Sequence, residues 1–214
     1  MNKFDGIIFD IDGTLASTND LIFASFNHVA EKYLNKTFTW EEIHSLFGPT
    51  EDVILKDMMK ENFEDAKKDY YAFYTEQHNR MADIYPGMKE LIITLKERGA
   101  LLSIYTGKGR RSSEITLTEI GVYDYFDMIV SGDDIEGHKP SPDGVEIFIS
   151  KFGLDKSKVL MIGDAPADVK AAHNSGIKVA SVLWDSYAKE KVLEMNSDYY
   201  FHSVSELAGF LTGN

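Results

Sequence analysis

The chain has 214 residues, 43% of them hydrophobic, and a formal net charge of −13. That is enough apolar material for one large domain, or a domain with a small companion, and nothing suggests disorder or collagen-like repeats. The acidity argues against nucleic acid and anionic membranes as partners, and the absence of cysteine excludes disulfides, thiolate metal sites, iron–sulfur clusters and cysteine nucleophiles.

The chain opens with "MNKFDGIIFDID", which lacks the long apolar stretch of a signal peptide. No later stretch has the length of a membrane span, so a cytoplasmic protein is expected. "GIIFDI" at 6–11 is a short apolar run that suits a strand buried on both faces, as in a parallel sheet. It runs straight into Asp10 and Asp12, with only Ile11 between them. Positions two apart in an extended segment face the same side. Two carboxylates placed so repel each other and lose water, and they are stable only if a metal ion, a proton or fixed dipoles compensate.

From 15 to 86 the pattern turns helical. "NDLIFASFNHVAEKYL" at 19–34 has helical apolar spacing, and Thr39 with Glu42 forms a capping-box pattern. "EDVILKDMMKE" and "EDAKKDYYAFYTEQHNRM" read as two further helices, with Tyr70, Tyr71 and Tyr74 as packing residues rather than a base-stacking platform. Roughly seventy helical residues are too many for one crossover. We read 16–85 as a helical cap domain inserted into a core of 1–15 and 86–214, through linkers near 16–19 and 81–85.

The rest alternates. Apolar runs at 100–106, 127–132, 158–164 and 178–184 are separated by helical segments that stop at Gly99, Gly121, Gly153 and Gly176. A short strand at 199–201 and a helix after Ser203, with Ser203 and Glu206 as capping box, close the chain. The expected fold class is α/β, a doubly wound parallel sheet of Rossmann-like form with an inserted helical cap.

In such sheets ligands bind outside the carboxyl ends of the strands. Those ends carry Asp10-Ile-Asp12-Gly-Thr14, Thr106-Gly107-Lys108, and Gly163-Asp164 with Asp168 four residues on; Lys139-Pro140 follows the third strand. "TGKGRRSS" lacks the first glycine of a P-loop and misses the dinucleotide fingerprint. The six histidines are scattered, although His138 stands beside Lys139.

"DIDGTL", "SIYTGK", "HKPSPD" and "GDAPAD", in this order and spacing, resemble the haloacid dehalogenase superfamily of aspartate-nucleophile phosphatases. The helical insert is similar to that family's first-type cap. "FGPTE", "YPGMKELI" and "GDAPADV" resemble its phosphoglycolate phosphatase-like branch. The resemblance implies that Asp10 attacks phosphorus and forms an aspartyl-phosphate, while Asp12 serves the leaving alcohol as acid and then water as base. It implies that Thr106 and the Gly107 amide hold phosphoryl oxygens, with Lys139 neutralising charge. It also implies Mg²⁺ held by Asp10, the main-chain carbonyl of Asp12 and Asp164, with Asp168 supporting that set. A hard cation bridging carboxylate and phosphate would remove the repulsion between nucleophile and substrate.

Lys108 and Thr50 are read as substrate-binding, the latter because "FGPTE" is expected to reach the substrate from the cap. The competing expectation is that Thr50 only caps the next helix. The loop Ala16-Ser17-Thr18 departs from the branch, which often carries a third acid there, so the substrate stays open. The implied activity is a Mg²⁺-dependent phosphatase acting on a small phosphorylated metabolite, as a monomer or homodimer. The alternatives are a phosphomutase of the β-phosphoglucomutase type and a phospho-acceptor signalling module that does not turn over.

Overall fold

The computed structural model describes residues 3–213. The central strand, β1 (Gly6–Phe9), is wholly buried. A two-residue strand, β2 (Ala16–Ser17), leads to helices α1 (Asn19–Leu34), α2 (Trp40–His44), α3 (Glu51–Met59) and α4 (Phe63–Met81), and β3 (Asp83–Ile84) leads back. There follow α5 (Met88–Glu97), β4 (Leu101–Tyr105), α6 (Arg110–Glu119), β5 (Met128–Val130), α7 (Asp143–Phe152) and β6 (Val159–Gly163). The chain closes with α8 (Pro166–Ser175), β7 (Lys178–Val182), α9 (Lys189–Leu193), β8 (Tyr199–Phe201) and α10 (Val204–Thr212).

Six strands form one parallel sheet in the order β5-β4-β1-β6-β7-β8. The order reverses at β1, and the crevice at such a switch point is where doubly wound sheets bind ligands. The strands read as continuous apolar runs because both faces are covered. Ile7 and Phe9 of β1, with Leu160 and Ile162 of β6, join the cluster that α5 and α10 cover. Ile8, Val159 and Met161 point the other way, into the cluster covered by α7 and α8. Each large apolar side chain buried here contributes about 1.5–3 kcal/mol. The expected α/β sheet with a helical cap is what the chain forms.

The cap helices have a hydrophobic cluster of their own, with Phe26, Val29, Leu55, Tyr70, Tyr71 and Tyr74 buried in it. Thr39 caps α2 through a complete capping box: its Oγ1 accepts from the Glu42 N–H at 3.3 Å, and Glu42 Oε2 accepts from the Thr39 N–H at 2.7 Å. The cap rests on α6, where Tyr74 Oη and Thr116 Oγ1 share a hydrogen bond of 2.8 Å. The segment 15–86 was expected to hold no strand, and two short ones are present. β2 and β3 pair antiparallel, Ala16 with Ile84 and Ser17 with Asp83, so the two connections to the cap are zipped together. Two residues are too few for a periodic signal, and their partners are far apart in sequence.

Ser203 accepts from the Glu206 N–H as expected, but the Glu206 carboxylate binds the His202 N–H instead of completing the box on Ser203. Among the described residues, no helix is long and apolar enough to cross a membrane.

Candidate active site

The loop after β1 is a tight turn. The Ile11 carbonyl accepts from Leu15 N at 2.8 Å and Ala16 N at 3.2 Å, and Gly13 takes a φ of 74°. Ile11 is buried in the core, while Asp10 and Asp12 both line a cavity of about 270 Å³ at the carboxyl edge of the sheet. A Cβ on Gly13 would stand 2.6 Å from Asp164 Oδ2, so the glycine supplies both the left-handed turn and the room for that carboxylate.

Asp164 follows β6, and Thr14 Oγ1 donates to its Oδ1 at 3.2 Å. Asp168 sits in the first turn of α8, fully buried. Its Oδ2 accepts from the Ala165 N–H at 3.0 Å, which caps the helix, and its Oδ1 accepts from Lys139 Nζ at 2.6 Å. Gly163 makes this possible, since a Cβ there would lie 2.3 Å from the Asp168 carboxyl carbon. Lys139 Nζ also lies 3.0 Å from Asp10 Oδ1, an ion pair in which no donor is aligned on that oxygen for a hydrogen bond.

The electrostatics follow from this crowding. Burial pushes the Asp10 carboxyl up to about 6; Lys139 opposes, while Asp168 and Asp12 add to the rise. Burial, then Asp168 and Asp10, push Asp164 well above the usual carboxylate range. Burial alone would lower the Lys139 ammonium, but Asp10 and Asp168 outweigh it and hold its pKa above the ordinary value.

Oxygen atoms of Asp10, Asp164 and Asp168 all lie within 4.8 Å of one another. Three buried carboxylates around one lysine leave an excess of negative charge, and an all-oxygen donor set suits a hard divalent cation. The residues fit the metal that the sequence implies. Asp168 has both oxygens engaged, so Asp10 and Asp164 have the freer ligand atoms.

The structure brings Asp10, Asp12, Thr106, Gly107, Lys108, Lys139 and Asp164 together around one cavity, with His138 also lining it and Asp168 behind. Thr106 is held at the end of β4 by its N–H, which donates to the Val130 carbonyl at 3.0 Å. Thr50 departs from the substrate-contact expectation and takes the helix-start position of the competing one. It holds the N-cap position of α3 without a capping bond, its hydroxyl is buried with no hydrogen-bond partner, and it is not among the lining residues. Its methyl packs against Gly132, where a Cβ would come within 2.5 Å. The next residue, Glu51, is the one that reaches the cavity. The helix start at Thr50 turns its side chain to the core and the following one toward the site.

Sequence reasoning missed Glu51 as a site residue, and also Thr18, whose hydroxyl donates to Asp12 Oδ1. The departure at 16–18 is the signal that marked Thr18's loop. The segment "FGPTE" marked the stretch but not Glu51 within it, because the partners of Glu51 are 57 or more positions away.

Comparison with known proteins agrees with this geometry. The chain belongs to the haloacid dehalogenase-like hydrolase family, whose profile matches residues 7–182. Pyrophosphatase PpaX of Bacillus velezensis is 33% identical over 205 residues, which cover 96% of this chain and 95% of that protein. Pyrophosphatase PpaX of Bacillus pumilus is 32% identical over 201 residues, covering 94% and 93% of the two chains. The crystal structure of a predicted phosphoglycolate phosphatase from Haemophilus somnus superposes with a TM-score of 0.85 at 24% identity, covering 99% of this chain and 98% of that one. CbbY from Rhodobacter sphaeroides, solved with phosphate, superposes with a TM-score of 0.79 at 21% identity, over 95% and 96% of the chains. These two structures share the fold. The expected family and hydrolase class are borne out.

Proposed function

We propose that the protein is a Mg²⁺-dependent phosphatase that hydrolyses a small phosphorylated metabolite in the cytoplasm through an aspartyl-phosphate on Asp10. The observation that carries this reading is the buried Asp10, with Asp164 and Asp168 within 4.8 Å and Lys139 Nζ at 3.0 Å. Pyrophosphatase relatives of full matching length support it, since cleavage of a phosphorus–oxygen bond is the activity in their names.

Asp10 attacks phosphorus in line with the leaving oxygen, and the bond to that oxygen breaks as the Asp10–phosphorus bond forms. Asp12, two residues on and on the same wall, gives the leaving oxygen its proton and then takes one from the water that hydrolyses the acyl phosphate. Thr106 and the Gly107 N–H bind phosphoryl oxygens, and Lys139 offsets charge on them and on Asp10. Mg²⁺, held by Asp10, Asp164 and the Asp12 carbonyl with Asp168 behind, would supply charge neutralisation between carboxylate and phosphate. Thr18 orients Asp12, and the cap closes the cavity against water.

The test is phosphate release from p-nitrophenyl phosphate and a panel of small phosphomonoesters, with Mg²⁺ and with chelator, for wild type and Asp10→Asn. Release that needs Mg²⁺ and disappears in the variant supports the reading. Isomer formation without net release would replace it with a phosphomutase, and a phospho-aspartate stable for minutes would replace it with a phospho-acceptor.

A further inference from the structure

The part of the cavity beside Lys108 is built around a carboxylate from the cap. Glu51 opens α3, and its side chain is 7% exposed. Its Oε2 accepts from the Gly109 N–H at 2.7 Å, and its Oε1 accepts from the Ser112 hydroxyl at 2.6 Å. Gly109 is the N-cap of α6, whose unpaired N–H groups and dipole would otherwise attract an anion. The cap's own carboxylate therefore fills the anion seat that lies beside the phosphoryl site.

Lys108, the cation at this end, is also taken. Its Nζ is 3.2 Å from Asp12 Oδ1 and 3.5 Å from Glu51 Oε1, with 1% of the side chain exposed. Burial lowers its pKa, but Asp12, Tyr74 and Glu51 outweigh that and hold it above the ordinary value. One cation thus faces two carboxylates; among the described lining residues the other basic groups are Lys139, which is held by Asp10 and Asp168, and His138. The cap wall otherwise carries no charge: Asn19 is polar, and Ile22, Phe26, Phe47, Pro49 and Ile54 are apolar. Exposed His138, the remaining basic lining residue, adjoins Lys139 in the loop after β5.

We propose that the substrate is a phosphomonoester of an uncharged, partly apolar alcohol, and that Glu51 determines this by excluding leaving groups that carry a phosphate or carboxylate. The proposal rests on the phosphatase reading above. It separates this chain's specificity from the pyrophosphate named for its relatives. A second anion would have to displace Glu51 from Gly109, Ser112 and Lys108, or lie against it unpaired, and like-charge juxtaposition is costly in a site that excludes water.

The experiment compares matched substrates in the wild-type protein with Mg²⁺ in excess: hydroxyethyl phosphate, phosphoglycolate and pyrophosphate. The first two differ only in an alcohol replaced by a carboxylate. The expected kcat/KM for hydroxyethyl phosphate exceeds those for both anionic substrates by about tenfold or more. Glu51→Gln keeps the shape and one acceptor oxygen while removing the charge, and it is expected to narrow the gap by about tenfold, through faster turnover of phosphoglycolate. Calorimetry on the Asp10→Asn variant, in which turnover is expected to fall by roughly 10³-fold or more, is expected to rank the same ligands in the same order. Phosphoglycolate or pyrophosphate turned over as fast as hydroxyethyl phosphate would overturn the proposal and leave the phosphatase reading standing. An unchanged ratio in folded Glu51→Gln would remove Glu51 from the role. No phosphate release from any of the three would overturn the phosphatase reading and the proposal with it. Should Glu51→Gln fail to fold, the wild-type ranking decides the question.

Discussion

Each end of the cavity holds a buried lysine between two carboxylates, but the two lysines are held in different ways. Lys139 lies 3.0 Å from Asp10 and 2.6 Å from Asp168, and all three residues belong to the core, Asp10 and Lys139 in loops and Asp168 in the first turn of α8. Lys108 lies 3.2 Å from Asp12 and 3.5 Å from Glu51, and Glu51 comes from the cap. The first triad moves only if the core moves. The second is broken whenever the cap lifts, because a helix of the cap carries one of its members. The first also has a third acid, Asp164, whose extra charge suits a divalent cation. The second has a balance that leaves no place for more anion. In the proposed reading the core-held triad serves the phosphoryl group and the triad shared with the cap serves the leaving group, as a hydrolase with a lid requires.

The largest effect that would test this division is on chemistry. Asp10→Asn is expected to lower phosphate release by roughly 10³-fold or more, because a nucleophile has no substitute nearby. Steady-state kinetics check it, and a loss under tenfold would remove Asp10 from the nucleophile's role.

Stability separates the two lysines next. Lys139→Ala leaves fully buried Asp168 and Asp10 without their cation, and about 3–5 kcal/mol of stability should be lost in chelator. Lys108→Ala should cost less, about 1–3 kcal/mol, because Asp12 keeps a quarter of its side chain in water and Glu51 keeps Gly109 and Ser112. Urea unfolding of both variants measures the difference, and equal losses would erase the distinction between the ends.

A pH series sharpens it further. The Asp10 carboxyl rises from 3.8 to about 6 on folding without metal. The folded state then binds the proton more tightly than the unfolded chain, so this group's contribution to stability falls as pH rises between those values. In chelator, Asp10→Asn should therefore raise Tm above about pH 6, by on the order of 5 °C, and give no such gain near about pH 4. In wild type, metal affinity should weaken as pH falls below about 6, where Asp10 takes up its proton. Thermal melts with and without Mg²⁺ report both.

The smallest effect is a control within the cap. Thr39→Ala removes the α2 capping box, at about 1 kcal/mol, and should leave substrate ranking unchanged. A changed ranking would mean that the cap acts on the leaving group through its global stability, rather than through Glu51.

The sheet and the Asp10 end of the cavity were legible in the sequence. Strands buried on both faces read as apolar runs, and three of the runs lead directly into a residue that lines the site. Asp10, Thr106 and Asp164 sit at or just beyond the ends of β1, β4 and β6. Helix starts such as Thr39 with Glu42 are also local, because the cap and its target lie three residues apart. The short α9 escaped notice, since Val192 is its single buried residue and one position makes no period.

The Glu51 end was not legible. Thr50 and Glu51 are neighbours in the same quoted segment, and no local pattern tells which faces the cavity. That choice is made where α3 begins, by packing Thr50 against Gly132 and by Gly109, Ser112 and Lys108 binding Glu51. The pairing of β2 with β3 was hidden for the same reason, since Ser17 meets Asp83 across the whole helical insert. The sequence alone determined the α/β class, the cap and the set of residues at the strand ends, because hydrophobic period and short motifs are local quantities. Only the tertiary structure decided which cap side chain meets the core and which charges remain free, because those depend on pairs that come together only when the chain has folded.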